Sequence, residues 1–218
     1  MRRTFLTLFG IVIALYTLAN GGQFEKAMGK NVPVVFSAST AEELQGVINQ
    51  LSRIGEAEGD RWEPYYYSAY GYIRMSGMYE KGEDKDKFLN LAIKEVDKGM
   101  AIDETNSELE SLRGYCYMMQ LTVDPQNRGM TYSGLAFQSF QKAIKLDPEN
   151  PRAHYLMGRM QHGTAQFMGG GFEDACGSLF KALVIFKKGE ESDNPFAPTW
   201  GQETTEASIK EICEGEGN

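Results

Sequence analysis

Ala136–Pro151 reads AFQSFQKAIKLDPENP, and its spacing decides how the rest of the chain is read. Ala136, Phe140 and Ala143 stand four and three residues apart, so they share one helical face, and Pro148 falls in the turn beyond it. Small alanines let a neighbouring helix approach closely, and Phe140 fills the space between the two. Asp147-Pro148-Glu149-Asn150-Pro151 ends one helix and opens another, with Pro151 suited to a first helical turn. The four-and-three spacing returns 39 residues later as Ala175, Leu179 and Ala182. A weaker version lies 44 residues upstream of Ala136, at Ala92, within the series Phe88, Ala92, Val96 and Met100. The predicted unit is a pair of antiparallel helices, repeated.

On these residues the chain resembles the tetratricopeptide repeat (TPR) family, whose second helix carries this alanine, aromatic, alanine, proline spacing. Tyr65, Ala69 and Tyr72 fit the family's first-helix pattern, and Gly158 stands where it has a small residue for helix crossing. Gly99 and Glu104 replace the family's alanine and proline, so the first repeat is degenerate. The resemblance implies an all-α fold, a right-handed α-α superhelix of about three TPR-like helix pairs over residues 62–187. An N-terminal capping region is expected at 22–61, and an extended segment with a capping helix at 188–218. Two stretches exceed the family's period of about 34 residues: Val123–Gly134, an insertion of about ten residues, and Thr164–Phe172. Both are expected as loops shaping one rim of a groove.

Upstream of the repeats, Phe24, Ala27 and Met28 predict a short amphipathic turn, followed by a loop through Asn31, Pro33 and Ser37. Ser39 or Thr40 can cap a helix whose apolar face is Leu44, Val47, Ile48, Leu51 and Ile54. Lys81–Lys87 reads as a charged turn. The two prolines of Pro195–Gly201 predict an extended segment that could lay Phe196 and Trp200 on the last helices, before a helix from about Glu203 to Cys213.

Of 218 residues, 42% are apolar and 24% charged, ordinary for one globular unit. Arg2 and Arg3, an apolar run from Phe5 to Ala19, and small residues at Ala19 and Gly21 predict an export signal over 1–21 and a periplasmic destination. An uncleaved N-terminal anchor is the alternative, and the Arg2-Arg3-Thr4-Phe5-Leu6 segment also looks like a twin-arginine signal. Removing 1–21 deletes two arginines and no acid, moving the net charge from −8 to −10. So acidic a protein should avoid nucleic acid and anionic lipid, and no stable membrane insertion is expected after cleavage.

Catalytic apparatus is not visible. His154 and His162 lie eight residues apart on one helix, about 12 Å along its axis, too far to share a metal. His154 falls at the family's packed aromatic position. Gly169–Gly171 lacks the Lys-Ser or Lys-Thr of a phosphate loop and reads as a tight turn. Neither a metal nor a cofactor is implied, and the chain is read as a non-enzyme. Cys116 and Cys176 fit buried helical positions, although a bond between them in an oxidising compartment is conceivable.

The family resemblance implies a non-catalytic adaptor or scaffold that takes a peptide or protein partner in its concave groove. Carried over residue by residue, the groove positions are Tyr66, Tyr70 and Ile73 on the first helix and Arg152, Tyr155, Arg159 and His162 on the third. Tyrosine supplies amphipathic contact area and arginine can grip a carboxylate through two hydrogen bonds. Equally, these tyrosines can pack helix on helix while the arginines pair with glutamates. Two alternatives stay open: a small-molecule or enzymatic site near the glycine-rich insertion and Trp200, and a structural oligomer subunit.

Overall fold

The computed structural model describes residues 22–189 and 192–215. The export segment, 1–21, lies outside them. The described residues form α1 (22–37), α2 (Ala41–Glu58), α3 (Glu63–Ser76), α4 (Gly82–Ile102), α5 (Ser107–Val123), α6 (Pro125–Leu146), α7 (Pro151–Met168), α8 (Glu173–Lys188) and α9 (Gln202–Ile212). None of these helices is long and apolar enough to cross a membrane.

Local chemistry sets the helix ends. Thr40 and Glu43 form a reciprocal capping box at α2, and Gly59 closes that helix at φ 75°. Asn106 and Asn150 each accept a hydrogen bond from the backbone N–H three residues on, at Leu109 and Ala153. Pro64, Pro125 and Pro151 sit in first turns, where a missing N–H costs nothing.

Helices α3/α4, α5/α6 and α7/α8 make three antiparallel pairs, with α2 packed on α3, and α9 on α8. The first members also pack on one another, α3 on α5 and α5 on α7, whereas α4 and α6 meet through a side-chain ion pair, Arg128 to Asp86 at 2.7 and 2.8 Å. The inner layer is therefore α3, α5 and α7, and the right-handed α-α superhelix curves around it. Phe140, Ala136 and Ala143 are fully buried, as are Ala175 and Leu179 with Ala182 in the next pair. The degenerate position has a reason. A Cβ on Gly99 would lie 2.8 Å from the Leu109 side chain, and one on Gly158 2.8 Å from Leu179 and 3.0 Å from the Ala175 carbonyl. Leu109 takes the space that the family's alanine fills.

Several expectations are corrected. Phe24 to Ser37 is one helix and not a turn and loop, because Phe24, Met28 and Val35 are all buried along one side of it. The expected charged turn is the first turn of α4, which starts at Gly82. Val123–Gly134 is not a loop: only Asp124 separates α5 from α6, and it caps α6 by accepting from Asn127 N–H. The extra residues lengthen both helices. In the second insertion α7 continues to Met168, leaving Gly169–Phe172 as the turn. His154 is half-buried and its Nε2 stands 2.9 Å from the Pro148 carbonyl, so it braces the turn and does not fill the core. Cys176 pairs with Cys213, Cα atoms 5.7 Å apart, while Cys116 is free and buried.

Candidate functional site

The site begins where the chain after α8 crosses the inner layer. Phe196 does not stop at the last helices. It reaches α1, its ring 5.5 Å from that of Phe24, and Tyr67 of α3 donates its hydroxyl to the Phe196 carbonyl at 3.2 Å. Asn194 donates to the Glu63 carboxylate at 2.9 Å. Trp200 follows and packs against two core clusters, one running from α1 to α5 and one formed by α6 and α7.

A closed ring of hydrogen bonds holds this tryptophan. Its Nε1 donates to Tyr66 Oη at 2.8 Å, and Tyr66 Oη donates to Glu108 Oε2 at 3.4 Å. Arg152 Nε donates to the same oxygen at 2.8 Å, and Arg152 Nη1 donates to the Trp200 carbonyl at 3.1 Å. One residue comes from each of α3, α5 and α7. The Arg152 side chain is 1% exposed and that of Glu108 15%, so a dry setting strengthens the pairing and makes its disruption costly.

Beyond the ring runs a row of aromatic rings. Phe36 of α1, 37% exposed, lies 5.4 Å from Tyr70, Tyr70 stacks on Trp200 at 5.1 Å, and Tyr155 meets Trp200 edge-on at 6.4 Å. Tyr115 of α5 lies within electrostatic reach of Tyr70, Tyr155 and Arg159. Each inner helix thus contributes a tyrosine to one concave surface. Burial pushes the Tyr70 and Tyr115 hydroxyls up from their usual value, with Arg74 and Arg159 respectively opposing it. Burial raises Tyr66 and Tyr67 as well, Glu108 adding to the rise at Tyr66.

This sets an alkaline limit. A phenol whose folded pKa exceeds its unfolded one contributes its full stability below the unfolded value, about pH 10. That contribution declines as pH rises toward the folded value, because the unfolded chain releases protons that the fold retains. In an absorbance titration at 295 nm, Tyr66, Tyr67, Tyr70 and Tyr115 are expected to ionise only together with loss of helical circular dichroism, above about pH 10. Complete ionisation near pH 10 with the helices intact would contradict their burial.

The six residues expected to bind a partner therefore separate. Tyr66 and Arg152 lie beneath the C-terminal segment and hold it. Tyr70, Tyr155 and Arg159 stand on the inner helices α3 and α7, with Tyr70 and Tyr155 in ring contact with Trp200. His162 lies further along α7, its ring 4.7 Å from Phe172. Sequence reasoning missed Glu108 and Tyr115, for which the register of the second pair was the needed signal: Tyr115 follows Gly114 as Arg159 follows Gly158.

Two cavities flank the segment. The one of about 570 Å³ is lined by Phe24, Trp62 and Phe196 with Glu25, Asp60 and Glu63. The one of about 460 Å³ lies by Glu108, Arg152, Ile185 and Pro198. Among the described residues, no group of three or more histidine, cysteine or acidic side chains could hold a metal ion.

No protein-family model matches this sequence, and no curated protein does. Solved structures do resemble the fold. The HusA haemophore from Porphyromonas gingivalis is 27% identical, with 89% of this chain and 94% of that one covered and a TM-score of 0.77. A thermophilic TPR protein from Thermus thermophilus is 15% identical, with 81% and 89% covered and a TM-score of 0.54. The second likeness is one of fold alone.

Proposed function

We propose that this chain, a member of the TPR-like family, is a non-catalytic carrier whose concave face binds a flat, largely apolar tetrapyrrole such as haem. The observation that carries the reading is the row Phe36, Tyr70, Trp200 and Tyr155, joined by Tyr115. It offers ring faces and edges along one surface, and flat conjugated ligands gain area and stacking from such a surface. A protein described as a haemophore shares the architecture over 94% of its length, which supports the same assignment. The cavity of about 570 Å³ suits such a ligand less, because four acids, Glu25, Asp60, Glu63 and Asp193, face its one arginine, Arg61, and disfavour carboxylates.

Haem titrated into residues 22–218 is expected to give a saturable change in the Soret band at about one equivalent, with quenching of tryptophan fluorescence. Tyr155→Ala removes a half-buried ring from the surface and is expected to weaken binding about tenfold, or about 1.4 kcal/mol. A Soret band identical to that of free haem would overturn the reading.

One observation favours a second reading, the docking of a peptide or protein partner in the groove. Asp193–Gly201, a segment of this same chain, makes a turn at Asn194–Ala197 and crosses the inner layer with its carbonyls accepting from Tyr67 and Arg152. The layer's polar groups therefore suit backbone carbonyls of a crossing segment. A partner segment would bind beside this strap along Tyr70, Tyr155, Arg159 and His162, and a null haem titration would leave this reading standing.

Export to an oxidising compartment is part of the proposal. Its supports are the arginine pair and apolar run of residues 1–21 and the Cys176–Cys213 disulfide, a bond that cytosolic thiol buffers would reduce.

A further inference from the structure

We propose that Arg159 makes the concave face selective for ligands bearing a carboxylate, and is thus a specificity-determining residue of the carrier site. The inference rests on the tetrapyrrole reading and adds what the ligand must carry at its edge.

Three arginines stand on the inner helices near the aromatic row, and two are committed. Arg152 is locked in the Trp200 ring. Arg74 donates one Nη to the Val35 carbonyl and the other to the Ala38 carbonyl, closing the end of α1. Arg159 differs. Its side chain is 39% exposed, and its contacts lie on one side, toward α9: Nη1 donates to Ser208 Oγ at 3.2 Å and stands 4.0 Å from Glu211 Oε2. That glutamate is 72% exposed, and such a pair at such a distance is worth little. Among the described residues, Arg159 Nε and Nη2 donate to no group. A guanidinium recognises a carboxylate through two parallel N–H bonds, and these donors are available for it.

The surroundings reinforce the assignment. Arg159 follows Tyr155 by one helical turn on α7, and its charge opposes the burial-driven rise of the Tyr115 hydroxyl, so that charge sits at the margin of the aromatic row. The chain carries a net charge of −8, and a dianionic ligand approaching an acidic protein needs a local cation at its landing point. Haem presents this combination, a flat apolar body with two carboxylates on one edge.

The test compares haem with haem dimethyl ester on the wild type, on Arg159→Gln and on Arg159→Lys, with circular dichroism confirming that each is folded. Wild type is expected to bind the diacid about tenfold more tightly than the ester, the scale of a charge-assisted pair. Arg159→Gln is expected to bind both forms as the wild type binds the ester, and Arg159→Lys to restore only part of the preference, since lysine offers a point charge and no fork. An ester bound as tightly as the acid by wild type, or a preference kept by Arg159→Gln, would overturn the role of Arg159 and leave the carrier reading intact. If neither form binds wild type, the carrier reading falls and this role with it.

Discussion

Arg152→Ala is expected to destabilise the fold by about 3–5 kcal/mol, the usual result of removing one partner of a buried ion pair. For a chain of this size that is a fall in Tm on the order of 10 °C. The substitution removes the cation that pairs with the largely buried Glu108 carboxylate, removes the donor of the Trp200 carbonyl, and opens the ring that pins Trp200 between Tyr66 and Tyr70. Lysine should rescue little, because one ammonium cannot replace both Nε at Glu108 and Nη1 at Trp200. Arg159→Ala provides the contrast, with an expected loss of less than about 1 kcal/mol, since its ion pair is exposed and long. Urea unfolding of the two variants side by side decides the matter. Equal losses would mean that Arg152 is not the anchor of the segment.

Breaking the Cys176–Cys213 bond, by Cys213→Ser or by reduction, is expected to cost about 2–4 kcal/mol. The bond closes a 37-residue separation between α8 and the end of α9, and the entropy of that closure in the unfolded chain accounts for most of the loss in the chain-entropy model. The damage should be local first. Helix α9 has 11 residues and buries Thr205, Ser208, Ile209 and Ile212, and helices so short do not persist without packing. Hydrogen exchange in α9 is therefore expected to rise strongly on reduction while α3 and α5 stay protected. Unchanged exchange would show that packing alone retains the helix. Cys116 serves as an internal control: it is fully buried and burial holds its thiol well above the usual range, so alkylating reagents should spare it in the folded protein.

Much of the fold was legible because its signals are short-range. Ala136, Phe140 and Ala143 announce a buried face from spacing alone, and Asn150-Pro151 announces a helix start from capping chemistry. Where the reading failed, competing local signals were overridden by packing. Pro33 and Ser37 look like a loop, yet Phe24, Met28 and Val35 gain more by packing as one helical face. Asp124-Pro125 looks like part of a long insertion, yet it is a cap and a first turn between two lengthened helices. At the candidate site, residue type did not reveal which side chains the fold would enclose. Arg152 and Arg159 lie about two turns apart on one helix and are indistinguishable by pattern, yet one is 1% and the other 39% exposed.

By itself the sequence determined the helical class and the pair boundaries near Ser107 and Pro151. Those follow from period and capping, which act within a few residues. Only the tertiary structure decided that Phe196 and Trp200 return to the first helices, that Glu108 takes Arg152, and that Cys213 is the partner of Cys176. Each of these joins residues 37 to 172 positions apart, and contacts at that range are set by how helices stack, leaving no periodic trace in the chain.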